Sequence, residues 1–315
     1  MSVKQTQRLK QGINSVTGGI YKIQRFCIND GPGLRTTVFF KGCQLRCKWC
    51  HNPETIPARR TFLLNHDTCT LCGRCVTVCP VNAHKIEAGT HTVDRNSCTF
   101  CGKCESICPV DAIEIAGETM SVSDVIEIIR KDQIYYAESG GGVTLSGGEP
   151  MMQPDFAGAL IQECKEAGYS VYVDTNGAAS PGVYNSVVKD ADGILFDIKL
   201  INSRKHLEYT GMANEQILKN FRNSCPMDKD LIVRYVVIPG INDGAGDLTE
   251  LCDFLEKCGF DGELELLAYH RLGLRKYASM GLDYELSAIE PPSQERMNEI
   301  QSYLRSNNLQ AVYRK

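Results

Sequence analysis

The sequence predicts an α/β fold, a partial and open parallel barrel interrupted by a separate two-fold module. Three observations lead to it. Short apolar or β-branched runs at 36–40, 143–145, 171–173, 194–196, 232–238 and 264–267 alternate with helical segments, as in a parallel sheet. Twelve of the 16 cysteines lie between Cys27 and Cys108, and eleven of those fall into three tight groups. The run CTLCGRCVTVCP, beginning at Cys69, returns 29 residues later as CTFCGKCESICP, beginning at Cys98.

Six strand–helix units are fewer than the eight of a closed barrel, which makes the expected architecture a partial (β/α)6 barrel. Its chemistry belongs at the carboxyl ends of the strands. Between the strands, Ser121 with Asp124 three residues on forms a capping-box pattern before Val125, Ile126, Ile128 and Ile129. Ala157, Leu160, Ile161 and Cys164 share one helical face, as do Leu248, Leu251, Cys252 and Leu255. A last helix covers about 293–304. The repeated text extends past the cysteines, as VNAHKIEAG and VDAIEIAGE. Residues 55–118 therefore read as an insert in a domain made of 1–54 and 119–315.

Composition narrows the function classes. The chain has 315 residues, 43% hydrophobic and 23% charged, as in soluble globular proteins. A net charge of −4 without a long basic run gives no support to a nucleic-acid partner. No run approaches the roughly 18 apolar residues of a membrane span, and MSVKQTQRLKQGINSV has no apolar signal core. The expected compartment is the cytoplasm. In that reducing environment, closely spaced thiols bind metals or clusters more often than they form disulfides.

Directly after the first strand comes FFKGCQLRCKWCHNPE, with Cys43, Cys47 and Cys50 separated by three and then two residues. Three thiolates can hold three irons of a [4Fe–4S] cube and leave the fourth open to a substrate or cofactor. The alternative is a structural zinc with His51 as fourth ligand. Each copy of C-x2-C-x2-C-x3-C-P is the bacterial ferredoxin run, whose fourth cysteine ligates the other cluster. Cys69, Cys72, Cys75 and Cys108 are thereby assigned to one cluster, and Cys98, Cys101, Cys104 and Cys79 to the second. Of the remaining five, Cys164 and Cys252 lie on apolar helix faces as small hydrophobes; Cys27, Cys225 and Cys258 receive no role.

With its cysteine spacing after the first strand, the sequence resembles the radical S-adenosylmethionine superfamily, and more narrowly the glycyl-radical-enzyme activating enzymes. The DGPG-x-R stretch at Asp30, Gly31, Pro32, Gly33 and Arg35 and the HNPE continuation of the cysteine loop carry that narrower likeness. The resemblance implies reductive cleavage of S-adenosylmethionine at the open cluster and abstraction of a glycine hydrogen from a partner glycyl radical enzyme. The DGPG-x-R residues would contact the partner's glycine loop. It also implies three [4Fe–4S] clusters, an electron donor such as flavodoxin or ferredoxin, and a monomer.

By the same resemblance, the loop Gly147, Gly148, Glu149 and Pro150 binds the cofactor's amino group, and Lys199 its carboxylate. Asp174, Thr175 and Asp197 would form a site for Na+ or K+. Arg234 and His270 match positions near the cofactor. Read alone, a Gly-Gly-Glu-Pro segment is a turn and His270 a structural histidine. Trp49 either shields the cluster or simply packs. Two other functions remain open on the sequence: a radical enzyme acting on a small molecule or peptide, and a multi-cluster electron carrier. The partner is unspecified among activators for lyases, dehydratases and decarboxylases.

Overall fold

A computed structural model describes residues 15–314; the stretch inspected for an export signal lies, up to residue 14, outside them. The chain enters through β1 (Thr17–Cys27) and β2 (Arg35–Phe40) and then leaves the main sheet. The excursion holds β3 (Thr61–Leu64), β4 (His84–Glu87), β5 (Thr90–Val93) and β6 (Ile113–Ala116), and β7 (Glu118–Ser121) returns to the main sheet. Six further strands follow: β8 (Gly142–Gly147), β9 (Ser170–Thr175), β10 (Gly193–Asp197), β11 (Asp230–Val237), β12 (Glu263–Ala268) and β13 (Gln310–Tyr313).

The main sheet has nine strands in the order β13-β12-β11-β10-β9-β8-β2-β1-β7. All seven from β13 to β2 are parallel, while β1 pairs antiparallel with both β2 and β7. Parallel strands covered by helices are buried on both faces and read as continuous apolar runs. That is why β2 and β8 to β12 stand out in the sequence. The predicted count of six parallel strands is one short, because β13 is a four-residue edge strand with only Ala311 fully buried.

The helices cover the sheet as their patterns require. Ser121 caps Val122–Arg130, accepting from the Asp124 backbone N–H while the Asp124 carboxylate accepts from Ser121 N–H. Helix Pro154–Glu166 buries Ala157, Leu160, Ile161 and Cys164, and helix Ala245–Lys257 buries Leu248, Leu251, Cys252 and Leu255.

In the excursion, β3 pairs antiparallel with β6, and β4 with β5. Its sequence repeat is also a backbone repeat. Leu71 and Phe100 both adopt positive φ (58° and 53°), as do Asn82 and Asp111 (51° and 48°) and Gly73 and Gly102 (both 77°). Left-handed backbone at Leu and Phe costs about 1–2 kcal/mol each, so its use in both copies marks one imposed loop shape. Short helices, Arg74–Val78 and Lys103–Ser106, follow the two glycines.

Candidate active site and cluster-binding cysteines

The three-cysteine loop begins at the carboxyl end of β2 and is held by backbone hydrogen bonds. Gly42 N–H donates to Thr55 O (2.7 Å) and Cys43 N–H to Ile56 O (3.0 Å). Arg46 N–H donates to Thr210 O (2.7 Å) and Lys48 N–H to Tyr209 O (2.9 Å), tying the loop to helix Ser203–Thr210. Burial pushes the Cys43 thiol up to about 12 and the Cys50 thiol up to about 11, and raises Cys47 further still. Three soft sulfur donors on one loop, disfavoured as bare thiolates by burial and by one another, suit a cationic iron–sulfur group.

The neighbouring loop is built onto this one. Gly148 N–H donates to Phe40 O (2.9 Å) and Glu149 N–H to Gly42 O (2.7 Å). A Cβ on Gly147, whose φ is 104°, would lie 2.3 Å from Phe40 N, and one on Gly148 would lie 2.2 Å from Gly42 O. Both glycines are therefore demanded by the chain's own backbone. The Glu149 side chain is fully buried and accepts from Thr175 Oγ1 (2.9 Å), Asn176 N (2.9 Å) and Met151 N (3.1 Å). Burial raises its pKa to about 7 against these three donors. The carboxylate thus pins the loop to the end of β9.

Two strand ends reach the cysteines. Asn176, just past β9, points its amide Nδ2 at Cys43 Sγ (3.6 Å). Past β10, Lys199 pairs with Asp197 (2.7 Å). Burial opposes the Lys199 charge, but Asp197 and the Cys47 sulfur outweigh it and raise its pKa. Asn176 went unassigned in the sequence, although it belongs to the Asp-Thr-Asn-Gly run that ends β9.

Arg234 gathers the acids of the adjoining rim. It pairs with Glu265 (2.9 Å), Asp174 (3.3 Å) and Asp30 (3.7 Å), and donates to Asn29 O. Asp174 also accepts from Ser146 Oγ (2.6 Å), yet its buried Oδ1 has no hydrogen-bond partner among the described residues. Burial raises Asp174 to about 6, with Arg234 opposing. Asp174 and Asp197 sense each other's charge, so the two sequence-selected acids do converge.

Arg35 departs from its expected role. It is fully buried, with its ring-stacked guanidinium 4.4 Å from the centroid of Tyr172. It donates to Thr144 Oγ1 (2.7 Å), Val143 O (2.6 Å), Ser170 O (3.2 Å) and Pro32 O (3.1 Å). An arginine so enclosed braces the Asp30–Gly33 turn from below and cannot face a partner. Arg35→Ala is expected to cost about 3 kcal/mol by orphaning these acceptors, measured as a lower denaturation midpoint under anaerobic conditions.

His270 packs edge-on against His51, with ring centroids 4.6 Å apart. Trp49 is buried in a side cluster with Leu200, Ile238 and Tyr269, against which Cys47 packs.

In the excursion the eight cysteines separate into two cavities. One is lined by Cys69, Cys72, Cys75 and Cys108; the other by Cys79, Cys98, Cys101 and Cys104. Each cavity draws its fourth cysteine from the other copy of the repeat.

Residues 29–218 match the family described as "4Fe-4S single cluster domain". The chain is 41% identical to the trans-4-hydroxy-L-proline dehydratase activating enzyme of Clostridioides difficile, over 92% of this chain and 96% of that protein. It is 38% identical to the choline trimethylamine-lyase activating enzyme of Oleidesulfovibrio alaskensis, over 91% and 94% respectively. Among solved structures, Streptococcus suis SuiB bound to precursor peptide SuiA shares the fold, with a TM-score of 0.50 at 14% identity, over 87% of this chain and 46% of that one. Relatives this similar along nearly their whole length place the chain among the glycyl-radical-enzyme activating enzymes of the radical S-adenosylmethionine class.

Proposed function

We propose that Cys43, Cys47 and Cys50 hold the open [4Fe–4S] cluster at the mouth of a partial barrel formed by 1–54 and 119–315. The ferredoxin-like insert 55–118 holds two closed clusters. When bound, the open cluster supplies the electron that cleaves S-adenosylmethionine into methionine and the radical that takes a glycine hydrogen from the partner. The chain's own groups bind and orient. Lys199 offers a compact, strongly charged ammonium to the cofactor carboxylate, and backbone carbonyls of the Gly147–Gly148 turn accept from its amino group. Arg234 holds Asp30 over the rim, where the turn of Asp30, Gly31, Pro32 and Gly33 meets the partner's glycine loop. The unpartnered Asp174 Oδ1, with Asp197, suits a monovalent cation beside the carboxylate.

The observation that carries this reading is the convergence on the cysteine loop of Asn176 from β9 and Lys199 from β10. Anaerobic incubation with S-adenosylmethionine and a strong reductant is the test. Formation of 5′-deoxyadenosine and methionine supports it, and an intact cofactor overturns it. Lys199→Ala is expected to weaken cofactor binding about tenfold, or about 1.4 kcal/mol, with iron content unchanged. Loss of the open cluster in that variant would make Lys199 a scaffold residue.

The physiological partner is a glycyl radical enzyme, supported by the names of the relatives. Incubation with candidate partners should give the glycyl radical signal by electron paramagnetic resonance. A flavodoxin or ferredoxin in the cytoplasm serves as donor, and the chain acts as a monomer. No helix among the described residues is long and apolar enough to cross a membrane.

A further inference from the structure

The two cysteine cavities are related by the 29-residue repeat, and their apolar walls follow it. Ile86 lines the first where Ile115 lines the second. At one repeated position the match breaks. Ile113 lines the first cavity, whereas its counterpart, His84, lines the second. His84 on β4 is buried and meets His91 on the paired strand β5, with His84 Nδ1 and His91 Nε2 2.9 Å apart. His91, also buried, lines the first cavity and places Nδ1 3.5 Å from Cys69 Sγ; its Nε2 lies 3.7 Å from Cys75 Sγ. Two imidazoles therefore span the wall between the cavities, one of them at the position where the other copy of the repeat has Ile113.

Proton placement follows from the distances. A 2.9 Å contact between two ring nitrogens needs one donor and one acceptor. If His84 Nδ1–H donates, His91 Nε2 accepts, and the His91 proton sits on Nδ1, facing the Cys69 sulfur. The opposite arrangement would aim a lone pair at a sulfur acceptor, leaving both without a donor in a buried site. The first arrangement pairs both His91 nitrogens and gives the Cys69 sulfur a donor, leaving the longer 3.7 Å contact to Cys75 Sγ without a proton.

We propose that the His84–His91 pair makes the two insert clusters inequivalent: His91 donates to the Cys69 sulfur and raises the reduction potential of that cluster, and His84 orients His91. This rests on the insert holding clusters. A hydrogen bond to a ligating sulfur stabilises the extra negative charge of the reduced cluster, so it moves the potential upward. The second cavity has an imidazole in its wall, but among the described residues His84 makes its ring hydrogen bond to His91 and none to the sulfurs of that cavity. His91 and His84 are positioning residues for electron flow, and electrons entering the insert would settle first on the cluster ligated by Cys69, Cys72, Cys75 and Cys108.

The test is a reductive titration of the reconstituted full chain, followed by electron paramagnetic resonance. The two potentials that persist in Cys47→Ala identify the insert clusters. His91→Leu should lower the higher of them by about a tenfold change in the reduction equilibrium, about 59 mV for one electron. His84→Ile, which restores the residue of the other repeat, should lower the same potential by less. His91→Gln, which keeps an N–H donor, should lie nearer the wild type than His91→Leu. An unmoved potential in His91→Leu at full iron content removes the tuning alone. Loss of about four irons in both His91→Leu and His84→Ile makes the pair scaffold and overturns the proposal. A wild-type content of about four irons removes the insert clusters themselves, and the tuning with them.

Discussion

Cys47→Ala is expected to lower bound iron from about twelve to about eight per chain and to abolish cleavage of S-adenosylmethionine. Three clusters of four irons give the first number, and the open cluster's share is a third of it. Cys47 is a good position because its sulfur is, after Asp197, the charge that most raises Lys199, and the Trp49 cluster packs against it. Removing it leaves two ligands, too few to hold a cube at a buried site. The insert, with its own eight cysteines in two cavities, should keep its metal. Cys43→Ala and Cys50→Ala should behave alike. Iron analysis and cofactor cleavage, measured on the same preparation, check both halves. Cleavage surviving in all three variants would overturn the catalytic assignment.

Joint replacement of Cys72 and Cys101 by alanine should instead slow activation by a protein electron donor on the order of a hundredfold, about 2.7 kcal/mol of barrier. Both cysteines are exposed, one in each cavity, so the pair disables both insert clusters from the outside. Cleavage driven by a small strong reductant should persist in part, since such a molecule reaches the open cluster directly. No cleavage with either reductant, in a folded double variant, would mean that the insert completes the catalytic site. Partner affinity in the same variant separates two roles. Unchanged binding with slow activation indicates a relay, and weakened binding indicates docking.

Much of the architecture is legible in the sequence because parallel strands and helix caps are written locally. β2 and β8 to β12 each carry a short apolar or β-branched run, and Ser121 with Asp124 spells its own cap. β1 is less readable, since a strand with a register shift and a mixed burial pattern gives neither alternation nor a solid run. The cysteine loops carry their spacing openly. Arg35 does not announce itself, because an arginine in a DGPG-x-R stretch reads the same whether it faces outward or lies under Tyr172. Asn176 and the His84–His91 contact depend on residues brought together from separate strands. His84 did leave a trace, visible by laying the repeats over each other: it stands where the second copy has Ile113.

The base of the excursion has a consequence for how such a chain can be rebuilt. Thr61 and Ala116 are opposite each other in the β3–β6 pair. Entry and exit are thus one interstrand spacing apart, about 5 Å, and a tight turn would bridge them. The module is a cassette: excising 62–115 would ask no strand of the nine-stranded sheet to change register, and a different module could be spliced at the same seam. The graft would have to replace only lateral contacts, such as those of Arg95 to Ser279 O and Arg60 to Phe100 O, that moor the present one.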